Sequence, residues 1–394
     1  MSELNNKWIQ VSQEQNNLRL VFPERISSAN APEIREEVVG LCSRFPHTEL
    51  TADFENVEYI SSSGLRIVLE LIRNEKNFCI INVGAAAYEV FDMTGFLQMA
   101  DIRKKRRQIS IDDAEEIGWG FTARVYRLTE DSIIKVYRED VPVEDIEGEL
   151  SHAKQAFIAG IPTAISFDIV DVGNSIGVIF ERMDGGTLRN AMLAEPERFD
   201  EFMELYARVL QSINSIEVFD KAIPDAKELA LKKLQYLAEE RGLLSPQESE
   251  CMKSFLASLP DTGTYIHGDC QFKNIMLSAE EPMLIDMDTL SKGSPLFELA
   301  ALYSCYIVFE EVTPGNSENF FGVSSKLTER IMEYLMNACL PVYSGEPFER
   351  AEKKVRLLGT FICFHIIAQY MPEEEEGLKR AIDLFRKHLA EFAL

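Results

Sequence analysis

The amino-acid sequence predicts two domains: an α/β domain with a mixed sheet and packed helices, followed by a bilobal α+β domain. The length of 394 residues exceeds what one ordinary hydrophobic core accommodates. Short strand patterns alternate with helix patterns until an unbroken basic run at 103–107, after which strands come first and helices follow. We therefore place the first domain at 1–107 and the second at 108–394, with lobes at about 108–183 and 184–394.

The first domain is expected to alternate strands and helices. Apolar residues at every second position predict half-buried strands, whereas apolar residues three and four positions apart predict one helix face. In chain order the patterns are Leu18, Leu20 and Phe22 for a strand, Ile34, Val38 and Leu41 for a helix, Leu50, Ala52 and Phe54 for a strand, Leu65, Val68, Leu69 and Ile72 for a helix, 78–83 for a strand, and Val90 with Phe91 for a helix. Together they predict helices packed on a sheet.

The second domain is expected to begin with strands and continue as helices. Its patterns are Ile133, Ile134 and Val136 for a strand, Ile146, Leu150, Ala153 and Phe157 for a helix, two strands separated by Gly173-Asn174, and a strand-loop-strand interruption of the later helices at about 264–288. This order predicts a small β-rich lobe followed by a larger α-rich lobe.

Charge and composition limit the partners and the compartment. The 40 Lys and Arg residues against 65 Asp and Glu residues give a formal net charge of -25, which repels nucleic-acid phosphates and anionic membrane surfaces. The sequence shows no apolar signal-peptide core and no stretch near the ~20 apolar residues of a membrane span. Seven scattered cysteines favour a reduced compartment. We therefore expect a cytoplasmic protein with no nucleic-acid and no membrane partner.

Histidine and cysteine spacing does not predict a zinc site. The five histidines show no paired spacing with cysteine or with a carboxylate, and no Cys-x-x-Cys pair occurs. The metal ligands that the sequence predicts are therefore oxygen ligands of a different kind of motif.

A loop in the second domain combines the residue types that phosphoryl transfer requires. Residues 265–274 read YIHGDCQFKN, with Asp269 five residues before Asn274. In such a loop an Asp orients or deprotonates the attacking hydroxyl, while an Asn carbonyl binds a magnesium ion on the phosphates. Asp286 ends an apolar run twelve residues after Asn274 and supplies a second hard oxygen ligand. We predict a catalytic Asp269 and a magnesium site at Asn274 and Asp286.

These segments resemble a known family. HGDCQFKN and the later LIDMD are similar to the catalytic and metal-binding segments of aminoglycoside phosphotransferases and choline-kinase-like enzymes, and more distantly to the catalytic loop of protein kinases. The resemblance implies a protein-kinase-like fold, ATP as phosphoryl donor, Asp269 as catalytic base, and Asn274 and Asp286 as magnesium ligands. It also implies that His267 is a structural histidine. Asp288 is either a further site carboxylate or an ordinary loop residue.

Two more segments match the nucleotide-binding parts of that family. GWGFTARVY at 118–126 resembles a glycine-rich loop, in which Gly118 and Gly120 let backbone N–H groups approach the phosphates. Ala123 replaces the third glycine of the family pattern. Glu181 to Met183 corresponds to the hinge between lobes, whose backbone holds adenine.

A lysine and a glutamate complete the resemblance. Lys135 stands alone in an apolar strand and matches the lysine that contacts the α- and β-phosphates. Glu149, on the following predicted helix, matches the glutamate that pairs with that lysine. GSPLFELA at 293–300 resembles the family's GDPAYDLA segment. Each piece alone is a weak signal, whereas their common order over the chain predicts the kinase-like fold.

The first domain resembles the STAS domain, the anti-anti-sigma fold. ADFENVEYISSSGL at 52–65 is similar to the family signature, in which a strand leads to a loop whose serine is phosphorylated to prevent partner binding. The resemblance implies phosphorylation of Ser63, or failing that Ser62, and an anti-sigma-like protein partner. N–H groups at a helix start favour an added phosphate. Ser61 replaces the family's acidic residue, and the alternative role of Ser62 or Ser63 is to cap the helix.

Two functions follow as hypotheses. The first is an ATP- and magnesium-dependent phosphotransferase of a bacterial cell, acting on a hydroxyl of a small molecule, with the first domain as regulatory module. The alternative is a regulatory adaptor in a partner-switching pathway, whose second domain binds nucleotide without turnover. The family phosphorylates aminoglycosides, choline, sugars and proteins through the same loop, so the sequence predicts the reaction rather than the acceptor.

Overall fold

The chain forms two compact units. The computed structural model describes residues 4–5, 7–120, 122–183, 185–220, 222–278, 281–370 and 375–393. The first unit comprises Met1–Ser110 with Ile169–Asn174, and the second comprises Ile111–Asp168 with Ser175–Leu394. Each unit buries its own hydrophobic cluster, as a chain of this length requires.

The first unit is built on a mixed sheet. Its strands are β1 (Leu4–Asn5), β2 (Gln10–Glu14), β3 (Asn17–Val21), β4 (Arg25–Ile26), β5 (Glu49–Asp53), β6 (Tyr59–Ile60), β7 (Phe78–Val83), β8 (Asp101–Lys104) and β9 (Arg107–Gln108). Within the described residues a six-stranded sheet has the order β1-β2-β3-β5-β7-β8, antiparallel up to β3 and parallel from there on. β4 and β6 form a separate parallel pair. The predicted α/β class with a mixed sheet is confirmed.

Three helices cover this sheet: α1 (Ala31–Arg44), α2 (Ser62–Asn74) and α3 (Ala85–Met93). α1 buries the predicted stripe of Ile34, Val38 and Leu41. α2 instead buries Gly64, Ile67, Val68 and Leu71, so its inward face differs from the predicted stripe. The reason is a close approach, because a Cβ added to Gly64 would lie 2.7 Å from side-chain carbons of Ile26 and of Ile60. Only glycine lets α2 pack this tightly.

The second unit begins with strands and continues mainly with helices, which confirms the predicted α+β class. Its strands are β10 (Glu116–Trp119), β11 (Ala123–Arg127), β12 (Ser132–Tyr137), β14 (Ser175–Glu181), β15 (Thr264–Ile266), β16 (Ile275–Leu277), β17 (Pro282–Leu284) and β18 (Ser291–Gly293), whereas β13 (Ser166–Val172) is divided between the second unit and the first. Its α-helices are α4 (Val143–Ile158), α5 (Leu188–Ala194), α6 (Phe199–Ile213), α7 (Ala226–Gln235), α8 (Pro246–Ala257), α9 (Leu296–Tyr303), α10 (Phe309–Val312), α11 (Ser325–Ser344), α12 (Phe348–Tyr370) and α13 (Glu375–Ala393).

The strands before α5, together with α4, position Lys135 and Glu149. β10, β11, β12 and β14 are neighbours in antiparallel order, and Lys135 of β12 lies opposite Val178 of β14. α4 follows β12 and buries Ile146, Glu149, Ala153 and Ala156. Phe157, predicted on the buried face of this helix, is 51% exposed. The inward face is the one that carries Glu149, because its carboxylate has a buried partner, and Phe157 lies beyond that face.

The larger, helical part of the second unit surrounds two short strand pairs. β15 pairs with β18, and β16 pairs with β17, both antiparallel. The loop between β15 and β16 carries the HGDCQFKN sequence, and β17 leads directly to Asp286. α9 is buried at every one of its residues, so the loop lies against the centre of this core.

Among the helices of the described residues, none combines the length and the apolar character needed to cross a membrane.

Candidate active site

A buried ion-pair network links the strands to the helical part of the second unit. Nζ of Lys135, on β12, lies 2.7 Å from Oε1 of Glu149 on α4 and 2.7 Å from Oδ1 of Asp286. The hydroxyl of Tyr137 donates to the other carboxylate oxygen of Glu149 at 2.7 Å. Side-chain exposure is 15% for Lys135, 8% for Glu149 and 39% for Asp286. The structure thus brings together three residues that the sequence separates widely.

The charge state of Lys135 is fixed by this network. Burial acts to lower the pKa of Lys135, but the negative charges of Asp286 and Glu149 outweigh burial and hold that pKa well above its usual value. Lys135 is therefore a permanent cation, paired on one side with a buried carboxylate and on the other with a partly exposed one.

Asp269 and Asn274 are joined within the loop between β15 and β16. Nδ2 of Asn274 donates to Oδ2 of Asp269 at 2.9 Å and to its backbone oxygen at 2.8 Å. Nε2 of Gln271 donates to the same Oδ2 at 3.2 Å. The amide nitrogen of Asn274 is thus committed to Asp269, which leaves the amide oxygen as the group with metal-binding chemistry.

A buried glutamate of α9 anchors the beginning of this loop. Oε2 of Glu298 accepts the backbone N–H of His267 at 2.6 Å, and Oε1 accepts that of Gly268 at 3.1 Å. Nδ2 of Asn214 approaches Oε2 at 3.4 Å, and Glu298 has no exposed surface. A buried carboxylate is tolerated only with such donors. Glu298 therefore sets the path of the backbone that leads to Asp269.

His267 is held by its ring nitrogens, as its predicted structural role requires. Its Nδ1 accepts the backbone N–H of Asp269 at 3.3 Å, so its Nε2 is the donor to the carbonyl of Ile285 at 3.1 Å. The hydroxyl of Thr289 donates to the His267 carbonyl at 2.7 Å. One side chain thereby connects the loop of Asp269 with the segment of Asp286.

Gly268 satisfies a backbone requirement at the same point. Its φ of +79° lies in the left-handed region, and an added Cβ would stand 2.9 Å from the carbonyl oxygen of Thr289. Both conditions exclude other residues without local strain. Asp286 adopts φ 69° and ψ 69° although it is not glycine. Such a conformation in a non-glycine residue is held by its surroundings and is frequent at functional sites.

Four carboxylates share this region with one lysine, namely those of Glu149, Asp269, Asp286 and Asp288. Burial, followed by the charges of Asp286 and Asp288, raises the pKa of Asp269 to about 8. Although Asp288 is exposed, partial desolvation by the protein around it, followed by the charges of Asp286 and Glu149, raises its pKa to about 7. The negative charge therefore exceeds what Lys135 neutralises.

The donor set fits a hard divalent cation. Carboxylate and amide oxygens are the ligands that Mg²⁺ prefers, and crowded carboxylates gain from a cation between them. Asn274 and Asp286 are adjacent through their backbones, since the N–H of Ile285 donates to the Asn274 carbonyl at 3.0 Å. These are the two residues predicted as magnesium ligands, and their chemistry and placement support that prediction.

The predicted phosphate loop lies between β10 and β11. Gly118 and Trp119 pair with Val125 and Arg124, and the N–H of Gly120 donates to the Ala123 carbonyl at 2.8 Å. Neither glycine has a positive φ, and added Cβ atoms would make only ordinary contacts at 3.7 and 3.8 Å. Phe121, which falls inside the predicted loop, lies outside the described residues.

The predicted hinge follows β14. Glu181 ends that strand opposite Ser132, and its N–H donates to the Ile165 carbonyl at 3.4 Å. Met183 lies two residues beyond and is half-buried. The structure thus places both residues at the exit from the strand that neighbours Lys135, while their predicted contact with adenine stays a prediction.

The serines of the first unit divide into one cap and two accessible groups. Oγ of Ser61 accepts the N–H of Gly64 at 3.3 Å, so Ser61, and not Ser62 or Ser63, caps α2. Ser62 is exposed and Ser63 is half-buried. The cap uses the first hydroxyl of the series because α2 begins at Ser62. The other two hydroxyls are not consumed by capping.

Two groups of site residues escaped the sequence reasoning. Glu298 was seen only as part of a matching segment, yet it is the one charged residue of α9, whose residues are all buried. A lone carboxylate in an apolar helix was the available signal. The hydroxyl of Tyr206 donates to the Cys270 carbonyl at 2.6 Å, and that of Tyr306 accepts the Phe272 N–H at 2.9 Å. Nothing in their local sequence distinguishes these tyrosines from other core aromatics.

Comparison with protein families identifies both parts of the chain. The model of the phosphotransferase enzyme family matches residues 113–321, more than half of the 394 residues. The STAS domain model matches residues 9–109. The chain therefore belongs to the phosphotransferase enzyme family and carries an N-terminal STAS domain. A comparison with curated proteins gave no match.

Solved structures with similar folds include aminoglycoside phosphotransferases and a choline kinase. A thermostable mutant of aminoglycoside phosphotransferase APH(4)-Ia is 13% identical, with TM-score 0.49, covering 72% of this chain and 95% of that one. Aminoglycoside phosphotransferase APH(2'')-Ib is 16% identical, with TM-score 0.44, covering 69% and 94%. Choline kinase LicA from Streptococcus pneumoniae is 18% identical, with TM-score 0.46, covering 71% and 93%.

Proposed function

We propose that the protein transfers the γ-phosphoryl group of ATP to a hydroxyl group of a small molecule. The observation that carries this proposal is the convergence of Lys135, Glu149 and Asp286, through two contacts of 2.7 Å, beside the hydrogen-bonded pair of Asp269 and Asn274. A cation held in place, a base and two hard oxygen ligands are the parts that phosphoryl transfer uses. Membership in the phosphotransferase enzyme family supports the same reaction class.

Each residue has a defined role in the proposed reaction. Lys135 binds the α- and β-phosphates, and Glu149 keeps its ammonium group directed at them. Asp269 accepts the proton of the acceptor hydroxyl as the oxygen attacks the γ-phosphorus, and the bond from that phosphorus to the bridging oxygen of ADP breaks. Asp269 takes this role in its ionised form, which a cation bound nearby would favour against its raised pKa of about 8.

The remaining predicted residues complete the proposed ATP site. Asn274 and Asp286 would hold a magnesium ion, which when bound neutralises phosphate charge. Backbone N–H groups near Gly118 and Gly120 would approach the phosphates, because these two residues have no side chains. The nearest atoms to an added Cβ would lie 3.7 Å away at Gly118 and 3.8 Å away at Gly120, so the space beside both residues is open. The backbone from Glu181 to Met183 would hold adenine.

Turnover is the direct test. ADP release is measured with magnesium, ATP and a panel of hydroxylated compounds, including amino sugars, sugars and amino alcohols, for the wild type and Asp269→Asn. Asp383→Asn is the matched control, because Asp383 is an exposed residue of α13. We expect turnover with at least one compound, lost in Asp269→Asn and kept in Asp383→Asn. ATP binding without turnover on any compound would instead support the regulatory adaptor.

We propose that the STAS domain is a regulatory module that binds an anti-sigma-like protein, with Ser62 and Ser63 as phosphorylation positions. The exposure of Ser62 and the partial exposure of Ser63 support this, since Ser61 already supplies the helix cap. A phosphate there would add about two negative charges at the start of α2. The wild type and Asp269→Asn are incubated with ATP and magnesium, and the phosphorylated residues are mapped by mass spectrometry. Phosphate on Ser62 or Ser63 in the wild type, but not in Asp269→Asn, would show that the second unit modifies these serines.

A further inference from the structure

Three side chains with metal-binding chemistry converge in the STAS domain, far along the chain from the candidate kinase site. Cys42 lies near the end of α1, His47 follows that helix, and Glu75 follows α2. Their ligand atoms all lie within 4.8 Å of one another, and among the described residues this is the only such group of three His, Cys, Asp or Glu side chains. Sequence spacing did not reveal it, because Glu75 comes 28 residues after His47.

The hydrogen bonding of His47 directs its second ring nitrogen at Glu75. Nδ1 lies 2.7 Å from the carbonyl oxygen of Phe45, so Nδ1 carries a proton and donates it. In the neutral ring Nε2 is then a lone-pair acceptor, and it faces the Glu75 Oε2 at 3.3 Å. A cation between these two atoms would be bound by both.

The orientation of His47 is the one found in metal-binding histidines. Such a histidine usually donates its other ring N–H to a backbone carbonyl or carboxylate, which fixes the ring and raises the basicity of the ligating nitrogen. Phe45 supplies that carbonyl. The side chain of His47 is only 8% exposed and that of Glu75 25% exposed, so neither swings freely in solvent.

The site has space and an approach from solvent. Cys42 and Glu75 both line a partly open cavity of about 230 Å³ between α1 and α2. This cavity gives a metal ion access to Cys42 and Glu75, whereas His47 is not among its lining residues. A route of entry is one of the conditions that a real metal site must meet.

We propose that Cys42, His47 and Glu75 form a binding site for a borderline transition-metal cation of the Zn²⁺ type. Bond lengths of about 2.0–2.3 Å to nitrogen, oxygen and sulfur place tetrahedral ligands about 3.3–3.8 Å apart. The His47 Nε2 and Glu75 Oε2 atoms already have this separation, at 3.3 Å, and all three donor atoms lie within 4.8 Å of one another. Sulfur and imidazole together select Zn²⁺ over the hard cation that suits Asn274 and Asp286. Three protein ligands leave one position for water or another ligand.

Metal binding here would tie α1 to α2, the helix that begins at the proposed phosphorylation positions. The ligands come from the end of α1, the turn after it and the residue after α2, whereas Ser62 and Ser63 lie at the opposite end of α2. A bound ion therefore acts as a cross-link between two separate elements. Such a cross-link stabilises the folded domain in proportion to metal affinity and concentration.

The test uses Co²⁺ and Zn²⁺ with the full chain, in excess Mg²⁺ to saturate oxygen-ligand sites. Co²⁺ bound by a thiolate gives an intense charge-transfer absorption, and Zn²⁺ abolishes it by displacement. We expect this absorption at one Co²⁺ per chain in the wild type, and its loss in Cys42→Ser. Cys79→Ser is the matched control. Cys79 is a half-buried thiol of the same domain that lies outside the site and forms a hydrogen bond with the Thr51 hydroxyl.

Two further variants separate ligation from damage to the fold. His47→Gln and Glu75→Gln should lower Co²⁺ affinity at least tenfold, while circular dichroism of the metal-free variants matches the wild type. Zn²⁺ at about a hundredfold excess over the wild-type Kd should raise the Tm of the STAS domain by ~10 °C in the wild type and by at most about half as much in these two variants. A wild type without thiolate-to-cobalt absorption, or with absorption that survives Cys42→Ser, would overturn the proposal.

Discussion

Lys135 and Asp286, 151 residues apart in the chain, are joined by an ion pair of 2.7 Å. The same ammonium group contacts Glu149 at 2.7 Å, so one lysine bridges a strand, a helix and the segment after β17. Nucleotide phosphates that bind Lys135 must therefore share it with, or take it from, Asp286. The first prediction follows from this shared cation.

Replacing Lys135 with methionine should remove nucleotide binding and also destabilise the unliganded protein. Methionine keeps much of the volume but leaves Glu149, whose side chain is 8% exposed, without its cation. We expect a loss of about 3 kcal/mol in the free energy of unfolding and no increase of Tm with ATP. Urea unfolding and thermal shift measure the two effects.

The control for Lys135→Met is Lys154→Met, at an exposed position of the same α4 that carries Glu149. The double variant Lys135→Met with Glu149→Gln should recover part of the lost stability, because it removes the uncompensated charge. ATP stabilisation that persists in Lys135→Met would show that the nucleotide binds elsewhere.

The raised pKa of Asp269 predicts a pH-dependent difference between Asp269→Asn and the wild type, without nucleotide or magnesium. The folded protein keeps the Asp269 proton up to about pH 8, whereas the unfolded chain releases it near pH 4. The folded state thus binds more protons between these values, and wild-type stability falls as pH rises through them. Asp269→Asn lacks this loss, so its stability relative to wild type should increase from pH 5 to pH 8.

Denaturant unfolding at the two pH values measures that difference, and Asp383→Asn, at an exposed position of α13, supplies the baseline. An equal stability difference at pH 5 and pH 8 would contradict the burial of Asp269 among like charges.

Glu298→Gln should impair both stability and turnover, although Glu298 is a positioning residue that does not reach the reacting atoms. Glutamine replaces one acceptor oxygen with a donor facing a backbone N–H, at His267 or at Gly268. We expect a loss of about 2–3 kcal/mol in unfolding free energy. We also expect kcat to fall more than KM rises, because the loop holding Asp269 shifts. Glu329→Gln, at an exposed position of α11, should change neither quantity.

Two glycines of the STAS domain should respond to alanine in opposite directions. Gly64→Ala places a Cβ 2.7 Å from side-chain carbons of Ile26 and Ile60, so we expect a loss of about 1–3 kcal/mol. Gly40, inside α1, has nothing within 4 Å of an added Cβ, so Gly40→Ala should gain about 0.5–1 kcal/mol from helix propensity. Thermal unfolding measures the change in Tm for each variant. Equal changes in Tm for Gly64→Ala and Gly40→Ala would contradict the close packing of α2.

The sequence was informative where a residue's role depends on its neighbours in the chain. Lys135 stood out as a single cation in an apolar strand, and Asp269 with Asn274 formed a compact motif in one loop. Both patterns survive in the structure as a buried ion pair and a hydrogen-bonded pair. The mixed sheet and the order of strands before helices were predictable for the same reason, because hydrophobic periodicity is local.

Roles that depend on packing between distant segments were not predictable. Ser61 caps α2 in preference to Ser62 or Ser63 because the helix already begins at Ser62. Phe157 is exposed since the buried pairing of Glu149 orients α4. Cys42, His47 and Glu75 meet only through the packing of two helices. The spacing of residues along the chain does not predict contacts of this kind.

Because Glu298 holds the backbone at His267 and Gly268, the loop that carries Asp269 can take its final shape only after Glu298 has been synthesised. Asp269 leaves the ribosome before the carboxylate that holds His267 and Gly268, and α9 must be made and buried before that carboxylate is in place. A nascent or truncated chain that ends before α9 therefore contains every predicted catalytic residue, from Lys135 to Asp286, without the anchor that shapes their loop. The proposed phosphoryl transfer would therefore become possible only late in translation, after α9 has been synthesised and buried.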